Sequence, residues 1–156
     1  MTNFDDAELA KLFLQAKTAP RLRSHLLMHG GHDDPVQRLV IAARSGSYIR
    51  AHRHPEQWEM LAVLKGHLDF VLFTPDGEVT KRIALRPGDT TVLEIPPGQV
   101  HTGVVMEDET AVLEIKPGPY KATVFEDWAP EEGSPDAPAF MAWVAHAEIG
   151  ARWTRR

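Results

Sequence analysis

From Asp5 to about Lys17 the apolar residues Leu9, Leu12, Phe13 and Ala16 recur at helical spacing, behind acidic residues that favour a helix start. The pattern predicts a short amphipathic helix over about 5–17 that ends before Pro20. Beyond it the period changes. SHLLMH (24–29) reads as a strand, followed by a Gly30-Gly31 turn and the Asp33-Asp34-Pro35 break. VQRLVIAA (36–43) reads as a buried strand. MLAVLKG, HLDFVLF, EVTKRIAL, TTVLEI, QVHTGVVM and TAVLEIK then follow one another, separated by Thr74-Pro75-Asp76-Gly77, Arg86-Pro87-Gly88-Asp89, the Pro96-Pro97-Gly98 corner and a polar tip at Glu107 to Glu109. Short strands with frequent turns therefore fill about 36–116, the rhythm of an all-β sandwich or barrel.

The last quarter differs in kind. Residues 117–138 are dense in Pro, Gly, Glu and Asp and read as an irregular arm wrapping the barrel. A final helix is expected from about Pro138 to Ile149, with Gly150 past its end and Phe140, Met141, Val144 and Ala145 on one side, packed on the barrel or on a second subunit. The whole chain, 1–156, is expected to form one domain, with 117–156 as a carboxy-terminal arm and helix.

Composition narrows the chemistry. A net charge of −5 argues against a nucleic-acid or anionic-membrane partner, since both require a positive surface. There is no cysteine, which excludes disulfides, thiolate nucleophiles and thiolate-ligated zinc, so any metal must use nitrogen and oxygen ligands. Asp5, Asp6 and Glu8 precede the first apolar positions, the wrong charge order for a secretory signal, and no apolar run approaches the ~20 residues of a membrane span. A cytoplasmic protein is expected.

The chemistry concentrates between Gly46 and Gly66. His52 and His54 are separated by one residue on a segment of strand formers, so both imidazoles point to one face, and Glu59 follows after a Pro55 corner. On a distant strand His101 is a third imidazole. Three neutral imidazoles and a carboxylate suit one divalent ion, with open positions for water or substrate; Fe, Mn, Ni, Zn and Co all fit such a set. His25, His29, His32, His67 and His146 lack comparable company and read as surface or structural histidines.

If the face that carries His52 and His54 is the lumen, strand parity adds Arg50 and Tyr48 as substrate-binding residues. Arg50 would meet an anionic ligand or pair with an internal carboxylate. Glu114 and Lys116 share a face of the last strand, which either is solvated or lines the cavity mouth, and Arg38 is a further pocket residue. Tyr120 either covers the entrance or anchors the arm.

Gly46, His52, His54, Glu59 and Gly66 stand at the spacing of the first signature of the cupin superfamily, and Gly88, Pro96, Gly98 and His101 resemble the second, with Val105 where that signature ends in asparagine. The resemblance implies a double-stranded β-helix, or jelly-roll, barrel with the short helix before it and the arm and helix after it, and a mononuclear metal held by His52, His54, Glu59 and His101. DPVQRL (34–39), SYIRAHRHP (47–55), IPPGQVHT (95–102), EIKPGPY (114–120) and DWAPEEG (127–133) are similar to the WbuC family, cupin-fold metalloproteins found among bacterial polysaccharide (O-antigen) biosynthesis genes. That likeness implies a metal-binding cupin acting on or binding a small anionic molecule, carbohydrate-derived among the alternatives. A metal-dependent enzyme, an Fe(II)-dependent dioxygenase and a non-catalytic binding or sensing module all remain open. A metal-free sugar epimerase is disfavoured because its histidines would have to serve as acid and base. A homodimer is expected, with the terminal helices and Trp58, Trp128, Trp143 and Trp153 as interface material.

Overall fold

Helix α1 (Asp6–Thr18) begins where Asp5 accepts a hydrogen bond from the Glu8 amide at 3.0 Å, and acidic Asp6 and Glu8 occupy its first turn. It buries Leu12, Phe13 and Ala16. The computed structural model describes residues 3–154. After α1 come ten strands: β1 (Arg23–Leu27), β2 (Val36–Ala43), β3 (His52–Arg53), β4 (Glu59–Lys65), β5 (Leu68–Phe73), β6 (Val79–Leu85), β7 (Val92–Ile95), β8 (Val100–Val105), β9 (Thr110–Pro117) and β10 (Val124–Phe125). A second helix, α2 (Ala137–Val144), follows.

The strands form two five-stranded antiparallel sheets, β1-β2-β9-β4-β7 and β10-β3-β8-β5-β6. Together they make the double-stranded β-helix of a cupin. The alternation of β2 shows how the sheets divide inside from outside. Val40 and Ala42 pack outward under Leu12 and Phe13 of α1, while Leu39, Ile41 and Ala43 line the space between the sheets. A strand covered on both faces reads as a nearly unbroken apolar run, as this one does.

Helix α2 lies on the outer face of the second sheet, where Phe140 and Val144 pack against Val71, Phe73, Val79 and Val100. Trp128, Trp143 and Trp153 join the same cluster. Three of the four tryptophans expected at an interface are thus used within the chain. The helix ends at Val144, short of Ile149, because the segment behind it turns back to the sheet. The Gly150 amide donates to Val79 O at 2.8 Å, the Val79 amide donates to Ala151 O at 2.9 Å, and Arg152 pairs with Glu78. Backbone pairing along the start of β6 outcompetes further helix. Among the described residues no helix is long and apolar enough to cross a membrane.

The arm is not wholly irregular. Val124 and Phe125 form β10 against Arg53 and His52, the Glu126 amide donates to Ala51 O, and the Arg53 guanidinium pairs with Glu126. Gln57 donates to Pro117 O and Arg50 donates to Ala129 O, so the arm is tied down beside the opening between edge strands β1 and β10.

Gly66 turns the chain from β4 in one sheet to β5 in the other at φ +78, and a Cβ there would lie 2.8 Å from Thr110 Cα. Backbone approach and conformation both demand glycine. Gly66→Ala should therefore destabilise the protein by about 1–3 kcal/mol from backbone strain, before any clash is counted. A denaturant midpoint unchanged from the parent would contradict this packing.

Candidate metal centre

Strands from both sheets bring the four polar side chains together. His52 on β3 lies directly across from His101 on β8, with ring centroids 4.4 Å apart. Glu59 opens β4 in the facing sheet. The Gly98 amide donates to His54 O at 2.8 Å, so the Pro96-Pro97-Gly98 corner pins the end of the histidine segment beside the start of β8. The ligand atoms of His52, His54, Glu59 and His101 all lie within 4.8 Å of one another, and the last three residues are buried.

Hydrogen bonds set the direction of the lone pairs. His52 Nδ1 lies 2.8 Å from Arg50 O, and His101 Nδ1 lies 2.9 Å from Gln99 O. A carbonyl only accepts, so in both rings Nδ1 carries the hydrogen, and in the neutral ring Nε2 is a bare lone pair. His101 Nε2 nevertheless stands 3.0 Å from Glu59 Oε2, and His54 Nε2 stands 3.7 Å from the same oxygen. Glu59 Oε2 and His54 Nδ1 are both buried without a hydrogen-bond partner. The His101 lone pair facing a buried carboxylate oxygen at 3.0 Å is repelled unless positive charge lies between them. A divalent cation supplies it, and the donor set of imidazole and carboxylate suits one.

Burial acts on each group. It pushes the His52 imidazole down to about 3, helped by His101, and the His54 imidazole down to about 4. Both rings stay neutral at ordinary pH, the state in which imidazole ligates metal.

A cavity of about 490 Å³ opens from this cluster. Glu114 and Lys116 of β9 both line it, their side chains nearly buried and 2.8 Å apart. Burial, then the charge of Glu59, pushes the Glu114 carboxyl up to about 7. Burial works against the charge on Lys116, but Glu114 and then Glu59 outweigh it and raise that ammonium's pKa.

Other predicted residues fall elsewhere. Arg50 lines the cavity, but its guanidinium donates to Ala129 O and Glu126 O, both at 3.0 Å, and lies over the Phe125 ring, so it anchors the arm. Tyr48 lies outside this cavity. Residues 48–51 form no strand, so alternation does not carry back from His52; the Tyr48 hydroxyl donates to Pro130 O at 2.6 Å and its ring meets Phe140 edge-on. Arg38 also lies outside, because β2 turns Leu39 and Ile41 inward, and it pairs with Asp34 at 3.3 Å. The cavity gains Arg21, Arg23, His25 and Glu132, none of which had a local signal. His25 sits across from Ile41 in the β1–β2 register, which is legible only once that pairing is known.

Residues 4–85, more than half of the chain, match the model of a domain of unknown function (DUF6016), and the chain belongs to that family. The match takes in His52, His54 and Glu59. No curated protein matches the chain. Among solved structures, an uncharacterized conserved protein with a double-stranded beta-helix domain from Klebsiella pneumoniae subsp. pneumoniae MGH 78578 is similar at TM-score 0.58 and 18% identity, over 81% of this chain and 98% of that one. A cupin 2 domain-containing protein from Halorhodospira halophila is similar at TM-score 0.52 and 20% identity, over 76% and 74%. An oxalate oxidase in complex with the substrate analogue glycolate is similar at TM-score 0.55 and 17% identity, over 82% and 67%. At these identities the likeness establishes the cupin fold.

The buried imidazoles give stability a pH dependence. Between about pH 4 and 6.5, unfolded His52 and His54 take up protons that the folded chain refuses, so stability of the metal-stripped protein falls as pH falls through that window. Glu114 works in the opposite sense, since its folded carboxyl binds a proton between about 4.5 and 7 that the unfolded one does not, and it offsets part of the loss. Two groups outweigh one. Denaturant midpoints of the chelated protein should drop from pH 6.5 to 4.5, and a midpoint that rises over this range would contradict the burial.

Proposed function

We propose that this protein is a metal-dependent cupin that holds one divalent ion through His52, His54, Glu59 and His101 and takes a small anionic molecule onto it. The observation that carries the reading is the His101 Nε2 lone pair, 3.0 Å from a buried carboxylate oxygen that has no donor of its own. Fe, Mn, Ni, Zn and Co each suit the ligand set. When bound, the ion supplies Lewis acidity and a fixed point of attachment for an oxygen of the ligand.

The chain's own residues supply the remainder. Lys116 holds a positive charge at the cavity wall, on the strand next to the one that bears Glu59. Its ammonium is placed to draw in an anionic group and to neutralise it there. Glu114, between Leu39 and Leu61 across the neighbouring strands, can hold a proton in a dry site and release it to a ligand oxygen. Arg21 and Arg23 share the single carboxylate of Glu132, at 2.8 and 2.6 Å, which leaves the rim net positive and favours entry of anions. The glycolate carried by the oxalate oxidase, a small hydroxy acid, supports the same ligand class at the level of fold.

The sequence likeness to the WbuC family supports a link to polysaccharide synthesis, with a carbohydrate-derived anion among the alternatives for the ligand. A non-catalytic binding or sensing role uses the same site without turnover. Oxygen consumption by the Fe(II) form, or conversion of sugar phosphates by the Mn(II) form, separates enzyme from binder. We also propose that the chain folds as a single cupin domain and pairs as a homodimer, supported by exposed Val92 on edge strand β7 and Leu64 on adjoining β4. Sedimentation of the intact protein tests the pairing.

Metal analysis of protein purified without added metal should give close to one equivalent of a divalent ion, and His52→Ala with His101→Ala should remove it. Retention of a full equivalent in the double variant would overturn the assignment.

A further inference from the structure

The cavity behind the proposed metal has two chemically distinct parts. Around Glu59 it is charged, with Lys116 and Glu114 close by. Farther between the sheets the wall is made by Leu39, Ile41, Leu61, Leu68, Phe70 and Val112. The register explains the layering: Val112 lies across from Ile41 on one side and Val63 on the other, while Glu114 lies across from Leu39 and Leu61. One step along β9 toward the metal changes the surface from apolar to ionic.

Apart from the His25 imidazole across from Ile41, the hydrogen-bonding capacity of the apolar part is already used. Thr110, the polar side chain that lines it, donates from Oγ1 to Glu107 O at 2.7 Å and accepts from the His67 amide at 3.0 Å. The strand backbones are engaged in the ladders on either side. A sugar body buried against this wall would leave its hydroxyls without partners, each one weakening binding about tenfold. A hydrocarbon body would lose nothing, and each methylene removed from water would strengthen binding about fourfold. The rim adds exposed Phe125 and Tyr120, which extend the apolar surface toward solvent.

We infer that the ligand of this site is a carboxylate with an aliphatic or aromatic body, its carboxylate at the metal and Lys116 and its body against the Leu39, Ile41, Leu61, Leu68, Phe70 and Val112 wall. The inference rests on the anionic-ligand reading above and narrows it, in preference to a polyhydroxylated sugar acid.

The test uses the full chain loaded with Co(II), whose visible spectrum reports exchange at the ion, titrated with acetate, hexanoate and glucuronate. Hexanoate should bind at least tenfold more tightly than acetate, and glucuronate no more tightly than acetate. Lys116→Met should weaken acetate and hexanoate alike by about tenfold while Co(II) stays bound. Val112→Thr, nearly the same shape, should weaken hexanoate several-fold and leave acetate unchanged, a separation that a general loss of folding would not produce. Glucuronate binding more tightly than hexanoate, or hexanoate no better than acetate, would overturn the apolar-body inference and leave the anionic reading in place. If none of the three anions perturbs bound Co(II), the anionic reading fails and the inference falls with it.

Discussion

Everything around the centre of this barrel depends on the close approach of two imidazole nitrogens to one carboxylate oxygen in a dry place. Those nitrogens belong to His101 and His54; Gln99 O takes the hydrogen of His101, so its opposite nitrogen has nothing to donate, and Arg50 O does the same for His52, the third ring of the cluster. Glu59 brings a negative charge from the facing sheet. Hydrophobic burial alone would drive these groups apart; the fold holds them together because each comes from a strand whose ladder is already made. A cation is what turns the arrangement from repulsive to cohesive.

The two sheets divide the work. Their outer faces are covered, one by α1 over Val40 and Ala42, the other by α2 over Val71 and Val100. Their inner faces line a cavity with an ionic layer at Glu114 and Lys116 and an apolar layer at Ile41 and Val112. The side near β6 and β7 is packed by Leu61, Leu68, Phe70, Leu85 and Ile95. The side near β1 and β10 stays open and carries the basic rim. Arm residues Tyr120, Ala122, Thr123 and Phe125 line the cavity on this side.

Much of the barrel was legible in the chain. VQRLVIAA marked β2 residue for residue, and Pro and Gly punctuated nearly every later strand, because turn chemistry is local. The cluster of His52, His54, Glu59 and His101 was legible as a set because their spacing follows a family signature. Tyr48 was misplaced by a parity rule that presumes a continuous strand, since no ladder runs through 48–51, whereas Arg50 does line the cavity although its guanidinium is taken up by the arm. β10 left no local signal, since two residues become a strand only when β3 is present to pair with them. His25 entered the cavity through the β1–β2 register, and α2 stopped early because of a bond to Val79 far back in sequence. Long-range pairing decided each of these.

β3 is only two residues long, yet it is held on one side by β8 and on the other by β10. His52 thus has backbone partners on both flanks and a ring hydrogen bond to its own chain two residues back. Its conformational entropy is surrendered during folding, so an arriving ion meets a preorganised donor and does not have to order one. In this protein the carboxy-terminal arm, remote in sequence from every ligand, is part of what makes the site rigid before anything binds.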